Sequence, residues 1–282
     1  MANIARFCST ILLVSTLLSV DAAAHIIITR TSDSQHVSMA ELSAAAASSD
    51  LILMGESHDD KYHHELQLDL IRSLLAGKQP LTIGLEMMQS DHQAQLDEWT
   101  SGRISEGVMQ AVFERNWSDW PMYRDIFIYA RDNKIPMVAL NVPKHIVKKV
   151  SMHGFSSLTP EEKGNLPSGT SCDLKNPQVA FLKKAFQAVA NHGQSGKMFS
   201  NFCEAQTVRN SGMALNMARY AAKQPGRKIL VLTGIWHAVK YGIPDQLQRL
   251  GSKLSYTVIL PETPYLNNTN SGASEADYLV EL

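Results

Sequence analysis

The chain has 282 residues, but only three are cysteines and neither sign of charge is in clear excess. Its formal net charge of -1 gives no indication of binding to nucleic acid or to an anionic membrane, so we expect no nucleic-acid partner. GxSxG, HExxH and glycine-rich phosphate-binding patterns are absent as well. These absences argue against a common serine hydrolase, a zincin and a nucleotide-binding enzyme.

Long apolar runs are also missing after residue 20. Before it, residues 1–6 carry one positive charge, residues 7–20 are apolar, and Ala22, Ala23 and Ala24 suit cleavage. This arrangement is typical of a secretory signal peptide, because about 14 apolar residues are too few to span a bilayer comfortably. Cys8 precedes most of the run, so there is no lipobox. We expect a signal peptide at residues 1–24 and a soluble, exported domain at residues 25–282, periplasmic or associated with the cell envelope.

Two cysteines, Cys172 and Cys203, remain after signal cleavage. An even pair in a compartment that permits oxidation favours a disulfide between them, with free thiols as the alternative. The stretch at residues 191–200 is rich in Gly, Ser and Asn, which predicts a loop before a long helix at residues 204–223.

Four apolar runs are predicted to form buried strands. Each run is followed by polar residues that could bind a ligand or take part in catalysis. The runs are residues 51–55, followed by Glu56 and His58; 81–85, followed by Glu86; 136–140, followed by Asn141; and 229–234, followed by His237. Continuous apolar runs separated by helical stretches are typical of parallel strands. The sequence therefore predicts an α/β fold, with a central, largely parallel sheet flanked by helices and a helical insertion.

The carboxyl ends of parallel strands form the ligand crevice in such folds, so these polar groups should converge. Three interpretations remain open: a metal site that activates water, acid-base catalysis by Glu and His without metal, and structural polar groups that satisfy one another. His64, in the helix after Glu56, is a further candidate for the cluster.

The order of several short motifs resembles the ChaN family of bacterial haem-binding proteins. The motifs are Gly55-Glu56-Ser57-His58 with His63-His64, Glu86-Met87, Trp120-Pro121-Met122-Tyr123, Asn141-Val142-Pro143, Ala205-Gln206 with Arg209 and Met213-Ala214, Gly234-Ile235-Trp236-His237, and Gly242-Ile243-Pro244. That family belongs to a wider group with the Tiki proteases and the erythromycin esterases, which share the GExH and GxxH elements. The resemblance covers residues 51–244, adds Arg209 to the candidate cluster and implies a ChaN/erythromycin-esterase-like fold.

The resemblance implies an exported protein that binds haem through a tyrosinate, with basic side chains at the propionates. It points to Tyr123 or Tyr241 as the iron ligand, with Tyr62 as a third candidate. Lys240 with His237, or Lys144 with His145, would face the propionates. It also implies a homodimer when haem is bound and a role in haem or iron uptake, storage or relay, in which an outer-membrane haem receptor would be a partner. Asn210 departs from the pattern, since an acidic residue is expected after Arg209.

Two functions therefore follow from the sequence. The first is haem binding without catalysis at the cell envelope. The alternative is a metal-dependent hydrolase, similar to the Tiki proteases or the esterases, in which Glu56, His58, Glu86 and His237 would hold a divalent metal or transfer protons.

Overall fold

The computed structural model describes residues 26–189 and 196–282. The predicted signal peptide at residues 1–24 lies outside the described residues, as do residues 191–195 of the predicted loop. The rest of the loop prediction is wrong, because residues 196–200 begin a helix that ends at Lys223. Phe199 and Phe202 lie three positions apart in this helix and both contact the ring of Phe186, so an apolar face stabilises it despite its polar composition.

A mixed sheet of eight strands forms the centre of the described part of the chain. The strands are β1 (Ile27–Arg30), β2 (Gln35–Val37), β3 (Leu51–Glu56), β4 (Leu81–Gln89), β5 (Met137–Asn141), β6 (Lys228–Gly234), β7 (Tyr256–Pro261) and β8 (Tyr278–Glu281). Their spatial order is β2-β1-β8-β7-β3-β6-β4-β5. All pairings from β8 to β5 are parallel, whereas β1 pairs antiparallel with β2 and β8. The predicted α/β class and largely parallel sheet are confirmed.

Helices flank the sheet and fill the connections between its parallel strands. They are α1 (Met39–Ala46), α2 (Lys61–Ala76), α3 (Gln93–Thr100), α4 (Glu106–Asn116), α5 (Trp120–Asp132), α6 (Lys144–His153), α7 (Pro160–Lys163), α8 (Gln178–Val189), α9 (Gly196–Lys223), α10 (Ile235–Ala238) and α11 (Ile243–Arg249). Capping boxes, Ser38 with Glu41 and Thr159 with Glu162, begin α1 and α7. Each box satisfies two backbone N–H groups that a helix start leaves without a partner.

The central strands contain continuous apolar runs because both faces of the sheet are covered. In β3, Ile52 and Met54 pack into the core on one face, while Leu51 and Leu53 pack into the core on the other. All six residues of β3 are buried. This two-sided burial accounts for continuous apolar runs in place of the alternation expected of a half-exposed strand.

The edge strand β5 is protected by a side chain in place of a ninth strand. Gln93 of α3 donates its amide to the carbonyl of Met137 at 2.9 Å and accepts the N–H of Ala139 at 2.8 Å. These two bonds satisfy the backbone groups that a neighbouring strand would otherwise pair with.

Two further sequence expectations concern cross-links and membrane spans. Cys172 and Cys203 form the predicted disulfide, which ties the segment before α8 to α9. Within residues 26–189 and 196–282, no helix combines the length and apolar character that crossing a bilayer would take.

Candidate functional site

The sheet brings its functional side chains together along the carboxyl ends of β3, β6, β4 and β5. Glu56 ends β3 and pairs in register with Gly234, which ends β6. Glu86 lies within β4, not at its end, because Met87, Met88 and Gln89 extend the strand beyond it. The pairing of β4 with β5 is irregular after Leu85, and this part of the strand carries Glu86.

Glu56 is a buried carboxylate, 2% exposed, that is held by side-chain donors. The Tyr123 hydroxyl donates to its Oε1, and the Gln67 amide donates to its Oε2 at 2.5 Å. His58 Nδ1 lies 2.7 Å from Oε1, and His64 Nδ1 lies 3.6 Å from Oε2. Such a carboxylate is stable in the interior because its oxygens are satisfied by several hydrogen bonds.

His58 extends from this carboxylate toward the end of β6. Its side chain is 39% exposed, and its ring meets the Trp117 ring edge-on with centroids 4.9 Å apart. A Cβ at residue 234 would lie 2.9 Å from His58 Nε2, so glycine is needed for this close approach. Burial lowers the pKa of His58, but the hydrogen bond to Glu56 and the charge of Glu86 outweigh it and hold the pKa above its ordinary value.

Glu86 is the second buried carboxylate, and its donors include a permanent cation. Arg209 Nη2 donates to Oε1, the Thr233 hydroxyl donates to Oε2, and the Gly234 N–H donates to Oε2 at 2.7 Å. Burial raises the pKa of Glu86, but the positively charged groups around it, with the Thr233 hydrogen bond, outweigh burial and hold the pKa far below its ordinary range. The Glu86–Arg209 pair is therefore ionised at neutral pH.

His237 lies one turn beyond the end of β6, in α10, and is 5% exposed. Its Nδ1 is 2.5 Å from Asn210 Oδ1, and its Nε2 is 3.5 Å from Glu86 Oε1. Burial lowers the pKa of His237 to about 4, and Glu86 only partly opposes this effect. The imidazole is therefore neutral at pH 7.

Asn141 and His64 support the site from its sides. The Asn141 amide donates to the backbone carbonyl of Glu86 at 3.0 Å and its Oδ1 accepts the N–H of Val142, so it fastens β5 to β4. His64 is buried in α2. Its Nδ1 lies 3.2 Å from Gln67 Oε1, and its Nε2 lies 3.1 Å from the backbone carbonyl oxygen of His58. Together with the groups above, all seven residues of the predicted cluster lie at one edge of the sheet, although Asn141 contacts backbone and not the carboxylates.

A cleft of about 360 Å³ opens directly over the Glu56–His58 pair. Its floor includes these two residues, and its rim includes Trp236, Pro264 and Tyr265. Tyr265 is 60% exposed, so much of this residue faces solvent where it lines the cleft. A larger cavity of about 410 Å³ beside residues 155–170 contains none of the predicted site residues.

The tyrosines predicted as haem ligands occupy quite different environments. Tyr123 is fully buried, and burial together with the Glu56 carboxylate raises the pKa of its hydroxyl well above the ordinary value. Tyr241 is half-buried and donates to Glu275 at 2.8 Å. Tyr62, the third candidate, is 48% exposed at the start of α2.

The basic residues predicted at the propionates also differ in their availability. Lys240 forms an ion pair with Asp277 at 2.6 Å and donates to the carbonyl of Ala273, and His237 is buried in the cluster. Lys144 and His145 are exposed at the start of α6, directly after the carboxyl end of β5.

Several residues that contribute to the site were not recognised in the sequence. Gln67 and Thr233 donate directly to the two carboxylates, Trp117 packs on His58, and Tyr265 forms the rim. Gln67 had a usable signal, since it lies one helical turn after His64 and therefore shares its helix face. Tyr265 had none, because it lies in a loop that only the tertiary fold brings over β3.

Metal binding is not supported by the arrangement of these side chains. Among the described residues, no three or more His, Cys, Asp or Glu side chains form a group that could hold a metal ion. The carboxylate oxygens are instead occupied by hydrogen-bond donors and by Arg209.

Comparison with known structures agrees with the topology. The structure of ChaN of Campylobacter jejuni with cofacial heme binding superposes with a TM-score of 0.73, at 18% identity, over 90% of this chain and 96% of that one. An erythromycin esterase, EreC in its open conformation, matches at a TM-score of 0.47 and 15% identity over 85% of this chain and 78% of that one.

Comparison of sequences gives one relative from a plant and a family. The RETICULATA-RELATED 5 chloroplastic protein of Arabidopsis thaliana is 23% identical over an alignment of 254 residues that covers 81% of this chain but only 33% of that protein. The family model described as haem-binding uptake, Tiki superfamily, ChaN matches residues 42–247, a range that includes both buried carboxylates and all three imidazoles of the cluster. The chain therefore belongs to the haem-binding ChaN family.

Proposed function

We propose that this protein is exported and binds haem at the cell envelope, where it takes part in haem or iron uptake, storage or relay. One observation supports the proposal in addition to family membership. The exposed Tyr265 lies at the mouth of a cleft whose rim is aromatic and apolar. Apolar walls with a few convergent polar groups are typical of cofactor sites. The rim residues Trp236, Pro264 and Tyr265 would contact the porphyrin.

The iron ligand we favour is Tyr265. A phenolate ligand must reach the iron and lose its proton, and Tyr265 lines this cleft and is 60% exposed. Tyr241 remains a candidate if Glu275 releases its hydroxyl. Tyr123 is a poor candidate, because ligation would need its hydroxyl to leave Glu56 and its ring to leave the core.

The propionates and the second subunit complete the proposal. Lys144 and His145 are the exposed basic pair beside the sheet edge, so we assign them to the propionates in preference to Lys240 and His237. A planar ligand on this open rim would keep one face uncovered, and a second copy of the chain could cover it. Homodimerisation on haem binding and transfer to an outer-membrane receptor are parts of this proposal.

Titration of the purified protein with hemin tests the proposal directly. We expect saturable binding with a high-spin ferric, tyrosinate-like spectrum, and a shift toward dimer in size-exclusion chromatography. Tyr265→Phe should abolish the tyrosinate band, whereas Tyr62→Phe, at an exposed tyrosine outside the rim, should retain it. Failure of micromolar hemin to produce any saturable spectral change would refute haem binding. Loss of the band in Tyr241→Phe alone would move the ligand to that residue.

A second function, hydrolysis, is favoured by the geometry of His58. Its Nδ1 is hydrogen-bonded to the Glu56 carboxylate, which leaves Nε2 directed toward the end of β6 and the cleft. A carboxylate that orients an imidazole is the arrangement used for general base catalysis. Arg209 beside Glu86 would supply positive charge for a developing oxyanion.

The hydrolase alternative is tested with ester and peptide substrates and with elemental analysis of the purified protein. His58→Asn should abolish any turnover, and the same substitution at the exposed His145 should leave it unchanged. Stoichiometric divalent metal would restore the metal-dependent version of this alternative. Inactivity of the wild-type protein on a broad panel would argue against both versions.

A further inference from the structure

A chain of amide hydrogen bonds connects three helices to the buried imidazole of His237. The Gln178 amide nitrogen lies 2.5 Å from the backbone carbonyl of Trp236. The Asn210 amide nitrogen lies 3.2 Å from Gln178 Oε1. His237 Nδ1 lies 2.5 Å from Asn210 Oδ1. Gln178, Asn210 and His237 are 7%, 1% and 5% exposed, so their alternatives to these bonds are few.

The direction of every bond in this chain follows from its first member. A backbone carbonyl can only accept, so the group of Gln178 that faces Trp236 must be its NH₂ and not its oxygen. The Gln178 oxygen then faces Asn210, which must present its own NH₂. The Asn210 oxygen is left for His237 Nδ1, and an amide oxygen can only accept. His237 Nδ1 must therefore carry a hydrogen.

The alternative position for the His237 proton is the other ring nitrogen, Nε2. Nε2 lies 3.5 Å from Glu86 Oε1, and a proton there would be attracted to that carboxylate. This separation is beyond normal hydrogen-bond length, whereas the contact to Asn210 is short. Only a doubly protonated ring would satisfy both oxygens, and burial opposes that charge.

We propose that Gln178 and Asn210 are positioning residues, which hold His237 as the Nδ1–H tautomer and present an unprotonated Nε2 beside the Glu86–Arg209 pair. Glu86 then keeps its oxygens for Arg209, Thr233 and Gly234. The inference goes beyond haem binding and does not depend on it, because every group involved belongs to the protein.

The proposal also accounts for the amide at position 210, where family resemblance leads one to expect an acid. A carboxylate there would accept from His237 Nδ1, but it could not donate to Gln178 Oε1. It would also add a third buried negative charge near Glu86 and favour a protonated His237. The amide gives the same tautomer without that charge.

The tautomer is measured by long-range proton–nitrogen NMR of the uniformly ¹⁵N-labelled full-length protein at pH 7, with His237→Gln used to assign the signals. We expect His237 to show a protonated Nδ1 and an unprotonated Nε2. A wild-type ring with its proton on Nε2, or on both nitrogens, would overturn the proposal without any variant.

Two variants test the series of hydrogen bonds from Gln178 through Asn210 to His237. Asn210→Leu removes the acceptor, and the proton should move to Nε2, where Glu86 can accept it. Gln178→Leu removes the anchor, and both tautomers should be populated. Asn216→Leu is the matched control, since Asn216 lies on the same helix and donates to the carbonyl of Leu140 at 2.8 Å without contacting His237. A folded Asn210→Leu protein that keeps its proton on Nδ1 would contradict the assignment.

Discussion

The two buried carboxylates of this site are satisfied in different ways, although both belong to parallel strands that flank β6 in the sheet. Glu56 is held by a phenol, an amide and two imidazoles, and none of these groups is a fixed cation. Glu86 is held by Arg209, which is always charged, together with a hydroxyl and a backbone N–H.

This difference assigns the two centres different physical roles. The Glu86 centre has a permanent counter-charge, so its ionisation is independent of the state of the cleft. The Glu56 centre includes the partly exposed His58, so its charge balance can respond to pH or to a ligand in the cleft above it. The first centre is a rigid support, and the second is the responsive part of the site.

The largest loss of stability is expected for Arg209→Leu, which leaves Glu86 as a buried charge without its cation. Removal of one partner of a buried ion pair costs about 3–5 kcal/mol of unfolding free energy. Urea denaturation of both proteins at pH 7 would measure it. Arg219→Leu, at an exposed position of the same helix, should change stability by less than about 0.5 kcal/mol. Equal small losses in the two variants would show that Glu86 does not need its cation.

The second prediction concerns acid and the Glu86 centre. Burial lowers the pKa of His237 from its ordinary 6.5 to about 4, so the unfolded state binds more protons between these values. Its contribution is fully present above pH 6.5 and is lost as pH falls to about 4, a change of about 3 kcal/mol. Unfolding free energies of wild type and His237→Gln across pH 4–7 test this, and the variant should show the shallower slope. The exposed His145→Gln serves as control, and parallel curves for wild type and His237→Gln would contradict the assignment.

The third prediction compares the hydroxyl donors of the two centres. Tyr123→Phe should cost about 2–3 kcal/mol of unfolding free energy, because it removes a buried donor from a carboxylate that lacks a fixed cation. Thr233→Val should cost about 1 kcal/mol, since Arg209 and the Gly234 N–H still hold Glu86. Chemical denaturation at pH 7 measures both. The reverse order of the two losses would mean that the centres are not distinguished as argued.

The smallest effect on unfolding free energy is expected at His58. Its pH dependence is opposite to that of His237, because stability is lost as pH rises. Its pKa is raised above 6.5, so the stability that it contributes is present below pH 6.5 and is lost as pH rises through the higher, folded-state value. Because its side chain is 39% exposed, solvent screening keeps the effect small. The difference in unfolding free energy between wild type and His58→Gln should narrow from pH 6 to pH 9. A difference that is constant across this range would show that His58 is not the pH-responsive member.

Much of this site could be predicted from the sequence because the strands are buried on both faces. The apolar runs before Glu56, Glu86 and Asn141 identified three of the parallel strands, and strand direction then placed their polar ends on one side of the sheet. The prediction of a strand over residues 81–85 was too short, because Met87 and Met88 are buried in the core and β4 continues to Gln89.

Contacts between residues that are far apart in the sequence could not be predicted from local sequence patterns. Gln178 and Asn210 are 32 residues apart in the chain and meet only because α8 and α9 pack together. Tyr123 matched a motif and was therefore predicted as a ligand, yet its ring is in the core and its hydroxyl serves Glu56. Tyr265 matched no motif and lies at the mouth of the cleft.

The sequence by itself determined the family, the parallel sheet and the edge at which Glu56, Glu86 and His237 meet, because periodicity and strand direction are local properties. Only the tertiary structure decided which donors each carboxylate received, which tyrosine reached solvent and which nitrogen of His237 carries the proton. Those outcomes depend on distances between segments far apart in the chain, and on the requirement that every buried polar group find a partner.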